Sequence, residues 1–162
     1  MKIGCLHLDA PTILAPLAGI TNLPFRLLAR EAGCGMVTTE MVSADGLVHG
    51  AAPTFDLLRS RPEEKPLAVQ IFGAEPGVMA EAAAIVAASG ADVVDLNFGC
   101  AVRKIVRAGA GVALMREPRR AEAILRAVRR AVTIPLTIKI RSGWDRTGRD
   151  AFAIGECAEA CG

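Results

Sequence analysis

Between Ala91 and Lys104 the chain reads A-D-V-V-D-L-N-F-G-C-A-V-R-K. A short apolar run is followed at once by an amide, a glycine, a thiol and two cations. Apolar runs of this length, bounded by turn residues, are the signature of a strand buried on both faces. The run is therefore expected to be a strand, Asp92 to Leu96, with Asn97 and Cys100 leaving its carboxyl end.

The same alternation extends in both directions. I-L-A-P-L (Ile13 to Leu17) reads as a first strand and Leu23 to Ala32 as a helix stopped by Gly33. Met36 to Met41 reads as a second strand, and Ser43 to Pro66 as a polar connection with a helical turn or two near Phe55 to Arg59. Leu67 to Phe72 is a third strand, followed by a helix from Pro76 to Ser89 with proline in its first turn, where a missing N–H costs little. Glu117 to Ala131 is the next helix, Leu136 to Arg141 a fifth strand, and Arg149 to Ala160 a last helix. Parallel pairing needs a crossover, and helices supply it, so the fold class is α/β. The first strand-to-helix turn, A-P-L-A-G-I-T-N, lacks the G-x-G-x-x-G phosphate turn of an open dinucleotide-binding sheet. The expectation is a (β/α)8 barrel of the TIM type. A complete one takes about 250 residues and eight strands, so residues 1–162 are expected to be the N-terminal part of one barrel domain, about five βα units.

Composition is that of an ordinary globular chain, with 52% hydrophobic and 22% charged residues. A net charge of +2 permits a nucleic-acid partner without requiring one. Five cysteines with no C-x-x-C pair make poor material for a disulfide framework or a zinc site, so reduced thiols in a cytoplasmic protein and no metal are expected. His7, Asp9 and Pro11 interrupt the first segment before a signal-type apolar region can form, and no later window suits a membrane span.

On this reading Pro16 to Gly19, Gln70, Asn97, Cys100, Lys139 and Arg141 all collect at the carboxyl ends of strands, the face where barrel enzymes keep their chemistry. Residue types and placement alone specify no reaction. A lone cysteine near a strand end is more often a small buried apolar group than a catalyst.

An ordered set of motifs goes further. The chain contains A-P-L-A-G-I-T-N-L-P-F-R from Ala15, T-E-M-V-S-A from Thr39, V-Q-I-F-G from Val69 and D-L-N-F-G-C-A-V-R-K-I-V from Asp95. G-A-G-V-A-L-M from Gly109 and I-K-I-R-S-G-W from Ile138 follow in order. With these the chain resembles the N-terminal half of the bacterial tRNA-dihydrouridine synthases, most closely their B-type branch. The resemblance implies an oxidoreductase acting on a CH–CH bond: NADPH-driven, FMN-dependent reduction of uridine in tRNA to 5,6-dihydrouridine. It makes Cys100 the catalytic residue, Pro16, Leu17 and Ala18 the segment along the flavin, and Gln70 and Lys139 flavin contacts. In that chemistry hydride arrives at C6 of uracil and a proton at C5 from the opposite side. A thiol with an ordinary pKa of about 8.5 is mostly protonated near neutrality and can donate that proton. Lys139 suits negative charge on the reduced ring, and Gln70 offers both donors and an acceptor to a mixed ring edge.

Asn97, Arg103, Lys104, Arg107 and Arg141 are the candidate substrate contacts; the three cations after Cys100 are expected to touch phosphate or hold the loop over a flipped uridine. The arginines of the Glu117–Ala131 helix, by contrast, read as a solvent-facing side opposite an apolar stripe. Ala101 stands where the family usually has proline. The family's later barrel strands, its phosphate loops and its C-terminal helical tRNA-binding domain have no counterpart within these residues, so the isolated chain is expected to have little activity. Two other readings fit the same residues: an FMN barrel oxidoreductase acting on a free pyrimidine, and a non-catalytic half-barrel that binds RNA or a partner subunit.

Overall fold

The structure is a computed structural model describing residues 1–162. The chain opens with a small antiparallel hairpin, β1 (Lys2–Ile3) and β2 (Leu6–His7), which the sequence reading did not anticipate. A parallel sheet follows, made of β3 (Val37–Thr38), β4 (Val42–Ser43), β5 (Leu67–Phe72), β6 (Val93–Asn97) and β7 (Leu136–Lys139). Its order is β3-β5-β6-β7, with β4 also pairing β5, and Ile13 bridges Met36 beside β3. Helices α1 (Leu23–Glu31), α2 (Ala44–Val48), α3 (Ala52–Asp56), α4 (Pro76–Ala88), α5 (Arg103–Arg107), α6 (Pro118–Ala131) and α7 (Arg149–Cys161) connect the strands. None of them is long and apolar enough to cross a membrane.

Side chains alternate strictly across the sheet, because successive Cβ atoms of a strand point to opposite faces. Val69 and Ile71 of β5 and Val94 and Leu96 of β6 join Met79, Ala82, Ala83 and Val86 of α4 and Ile124, Leu125 and Val128 of α6 in one core. The small residues of α4 let it pack closely on α6. On the other face Thr38, Ala68, Asp95 and Thr137 border a cavity of about 340 Å³ that also reaches Ile13 and Met36. The hairpin lies near the amino ends of the strands, where Leu8, Met36, Ala68 and Val93 form a second small core with Ile3 and Leu6 packed against it.

The α/β class with a parallel sheet and crossover helices is as expected, and the arrangement is consistent with part of a TIM-type barrel. The sheet is an open arc and does not close. β5 and β6 are buried along nearly their whole length, whereas β7 is paired on one side only and its residues are half-buried or exposed.

Several boundaries differ from the expectation. Ile13 to Leu17 forms no regular strand, only the bridge from Ile13, because Pro16 has no N–H to give a ladder. Met36 to Met41 is not one strand: the chain pairs at Val37–Thr38, leaves the ladder over Thr39 to Met41, and pairs again at Val42–Ser43. The connection after Ser43 holds α2, α3 and a 3₁₀ turn at Pro62–Glu64. Ser43 starts α2 by accepting from the Gly46 N–H. Two further elements were not foreseen, α5 and a 3₁₀ helix at Gly111–Arg116.

One buried ion pair fastens α1 to the Pro62–Glu64 turn. Arg26 Nε meets Glu64 Oε2 at 2.5 Å, and Nη2 meets Oε1 at 3.2 Å. The guanidinium also donates to the carbonyls of Thr21 and Arg59, both at 2.9 Å. Both side chains are almost wholly out of solvent. Removing one charge strands the other. We expect Glu64→Gln to lower unfolding free energy in urea by about 3 kcal/mol, and Glu64→Gln with Arg26→Met to cost less than Glu64→Gln alone.

Candidate active site

A cleft of about 470 Å³ opens at the carboxyl ends of the strands. Pro16, Leu17 and Ala18 form one side; Gln70 at the end of β5 and Asn97 at the end of β6 lie at its base. Cys100 and Val102 come from the segment after β6, and Lys139 and Arg141 from the end of β7 and just beyond. Met41, Gly99 and Ile140 complete the lining. Eight of the residues singled out from the sequence thus face one space: Pro16, Leu17, Ala18, Gln70, Asn97, Cys100, Lys139 and Arg141. Arg103, Lys104 and Arg107 do not. They ride on α5, exposed, and Lys104 faces a neighbouring cavity of about 600 Å³ together with Asp45 and Glu75. Val102 borders both spaces.

Strand register places the polar groups side by side. Gln70 lies opposite Asp95, Asp95 opposite Thr137, and Asn97 opposite Lys139. Gln70 Nε2 donates to Asp95 Oδ2 at 2.6 Å, and Thr137 Oγ1 donates to Asp95 Oδ1 at 2.6 Å. Asn97 Nδ2 donates to Gln70 Oε1 at 2.8 Å. Burial pushes the Asp95 carboxyl above the usual carboxylate range; the bonds from Thr137 and Gln70 and the Lys139 cation oppose that rise.

The turn bearing Cys100 is held from three directions. Asn97 Oδ1 accepts the N–H groups of Gly99 at 3.1 Å and Cys100 at 2.8 Å. The Cys100 carbonyl accepts the Val112 N–H at 2.9 Å, and Arg141 Nε donates to the Gly99 carbonyl at 2.6 Å. Across the cleft, the Leu17 N–H donates to Thr21 Oγ1 at 3.1 Å, and the Glu40 carboxylate accepts the Gly19 N–H, which fixes the Pro16–Ala18 side.

A half-buried thiol, two amides and two cations around an opening with apolar sides suit a flat ring system with a polar edge. The dihydrouridine synthase family model matches residues 13–162. The chain belongs to the dihydrouridine synthase family. It is 41% identical over 162 residues to tRNA-dihydrouridine synthase B of Pseudomonas aeruginosa, a match covering 100% of this chain and 49% of that protein. It is 42% identical over 167 residues to a probable tRNA-dihydrouridine synthase of Rhodobacter capsulatus, covering 100% and 50% respectively. Against tRNA-dihydrouridine synthase B of Vibrio cholerae the figures are 40% over 162 residues, 100% and 50%. The chain thus spans about half the length of these relatives.

In this dihydrouridine synthase chain the sequence reasoning missed Met41, Val102 and Ile140 in the cleft lining and, beneath it, Asp95 and Thr137, which reach the cleft only through Gln70. The available signal was a carboxylate inside a fully buried strand, since Asp is almost never buried without partners. No three or more His, Cys, Asp or Glu side chains come together as a metal site, and all five cysteines are free.

The sharpest constraint on the thiol turn comes from Gly111, whose φ is +62° and at which an added Cβ would lie 2.5 Å from the Cys100 carbonyl oxygen. Gly111→Ala is expected to lower stability by about 1–3 kcal/mol, through strain at positive φ, and to alter the alkylation rate of Cys100 measured by peptide mapping.

Proposed function

We propose that this chain forms the flavin and thiol side of a tRNA-dihydrouridine synthase active site, reducing the C5=C6 bond of uridine in tRNA with FMN as cofactor and NADPH as reductant. The observation that carries this reading is the meeting of Cys100, Gln70 and Lys139 in one cleft. Family membership and the names of the relatives agree with it.

The residues fit the cofactor. Pro16, Leu17 and Ala18 give the apolar side a ring can lie along, and Gln70 keeps one amide hydrogen and one lone pair beyond its bonds to Asp95 and Asn97. Lys139 forms no ion pair with a carboxylate, so its charge is free for a ring edge that gains electrons. When bound, FMN supplies the hydride chemistry. Cys100 Sγ then gives its proton to the base carbon at C5, and the hydrogen-bonded turn fixes where that sulfur stands. Lys139 offsets negative charge near the pyrimidine edge, and Arg141, tied to the Gly99 carbonyl, keeps the end of β7 next to the thiol turn. A uridine must leave its stack to enter the cleft, and the exposed cations of α5, of which Lys104 lines the neighbouring cavity, are the groups assigned to phosphate.

Cys100→Ala is expected to retain FMN absorbance and tRNA binding while dihydrouridine formation, measured by mass spectrometry of the tRNA, falls about 10²- to 10⁴-fold. Unchanged formation would refute the proton-donor role. Lys104→Glu is expected to weaken tRNA binding and reduce the slope of log affinity against log salt by about one. An unchanged slope would remove α5 from the RNA surface.

A further inference from the structure

We infer that Asp95 is the positioning residue of this cleft, the acceptor-only group that sets which way the amides of Gln70 and Asn97 face and so holds the Cys100 turn. The inference rests on the reading of Cys100 as the working thiol. Asp95 does not line the Cys100 cleft: it is only 7% exposed, it borders the separate cavity of about 340 Å³, and its two oxygens are taken by Thr137 and Gln70.

An ionised carboxylate can only accept hydrogen bonds, whereas a carboxamide has one end that donates and one that accepts. Asp95 therefore compels Gln70 to turn Nε2 toward it, which turns Oε1 toward β6. Asn97 must then answer with its own donor, and Nδ2 lies 2.8 Å from Gln70 Oε1, with Met41 Sδ as a second, longer acceptor at 3.8 Å. Only one end of Asn97 is left, Oδ1, and it faces the two N–H groups of Gly99 and Cys100. Reversing any amide would reverse those after it, and Asn97 would then aim N–H at N–H beneath the thiol. Gln70, lying between two side chains, could sit either way round on its own; Asp95 fixes it from one end, and the Gly99 and Cys100 N–H groups, through Asn97, demand the same sense from the other.

The device carries a cost. Burial makes the Asp95 carboxyl harder to ionise in the folded chain than in the unfolded one, so its ionised form opposes folding, and that opposition is relieved as pH falls through the raised pKa. Lys139 is the one cation acting on it, and Thr137 and Gln70 are its hydrogen-bond partners from β7 and β5.

The test uses near-isosteric variants and needs neither flavin nor tRNA, so its outcome is separable from that of the activity assay on Cys100→Ala. Amide hydrogen exchange is followed at Gly99 and Cys100 by NMR, alongside urea unfolding. In Asp95→Asn, where residue 95 no longer dictates direction, exchange at those two amides should rise about tenfold, the worth of one hydrogen bond, while the urea midpoint does not fall. In Gln70→Glu, with two carboxylates face to face, local exchange should rise further. Combining Asp95→Asn with Gln70→Glu restores an acceptor-only group facing Asn97 Nδ2 and should return both amides to wild-type protection. Wild-type protection in Asp95→Asn, a loss shared equally by all strands, or no recovery in the double variant would each overturn the inference.

Discussion

Parallel pairing of β5, β6 and β7 in a single register is the constraint on which everything else depends. Side chains alternate along each strand, so a slip of one residue would turn Gln70, Asp95, Asn97, Thr137 and Lys139 against α4 and α6 and expose their apolar neighbours. What forbids the slip is the opposite face. Val69, Ile71, Val94 and Leu96 are buried to 1% exposure or less, and fully burying one such side chain is worth about 1.5–3 kcal/mol. The polar cleft is thus positioned by the packing of residues that never touch it, and helix packing on one face becomes donor and acceptor geometry on the other.

The segment after β6 shows how a thiol-bearing turn can be held without a proline in its backbone. Ala101 supplies none of the φ restriction that proline would, yet the turn before it has its N–H groups taken by Asn97 and its carbonyls by Arg141 and Val112. Gly111 closes the arrangement, because only a residue without Cβ can pass that near the Cys100 carbonyl at positive φ. Hydrogen bonds from three separate elements, β6, the start of the Gly111–Arg116 3₁₀ helix and the chain beyond β7, thereby converge on two residues.

The elements legible in the sequence are those whose pattern is set by burial on a long surface. β5, β6 and β7 read as apolar runs, and α4 and α6 as helices with proline in the first turn, because the sheet and its crossovers dictate composition over many residues. The β1–β2 hairpin, the interruption at Thr39 to Met41 and the short helices α2, α3 and α5 were illegible for the opposite reason. Each spans only a few residues, too few for a period to show, and each is fixed by tertiary contacts such as those of Leu8 with Met36 and Val93. In the cleft, the residues that line it were legible from their place at strand ends and from motif resemblance. Asp95 was not, since its partner Gln70 is 25 positions away and no local pattern announces a cross-strand bond. The place of Arg103 and Arg107 was illegible for a related reason: nearness to Cys100 in sequence did not show that the chain forms a helix there, on which both are exposed and outside the cleft lining.

The depth of Asp95 also resolves an electrostatic conflict. A carboxylate at the rim of the cleft would repel an anionic ligand, while a side-chain amide in the place of Asp95, with both a donor and an acceptor end, would not impose direction on Gln70. Beneath Gln70 and Asn97 the charge is one side-chain layer away from the opening, and Lys139, across from Asn97 in the register, is an exposed cation nearby. Interactions between such partly buried charges are screened little by salt, whereas exposed ones beyond a Debye length of about 8 Å are largely screened. A ligand approaching from solvent therefore meets Lys139 and Arg141 first, and the anion that orders the amides acts at short range, on its own neighbours, through hydrogen bonds whose direction it sets together with the Gly99 and Cys100 N–H groups.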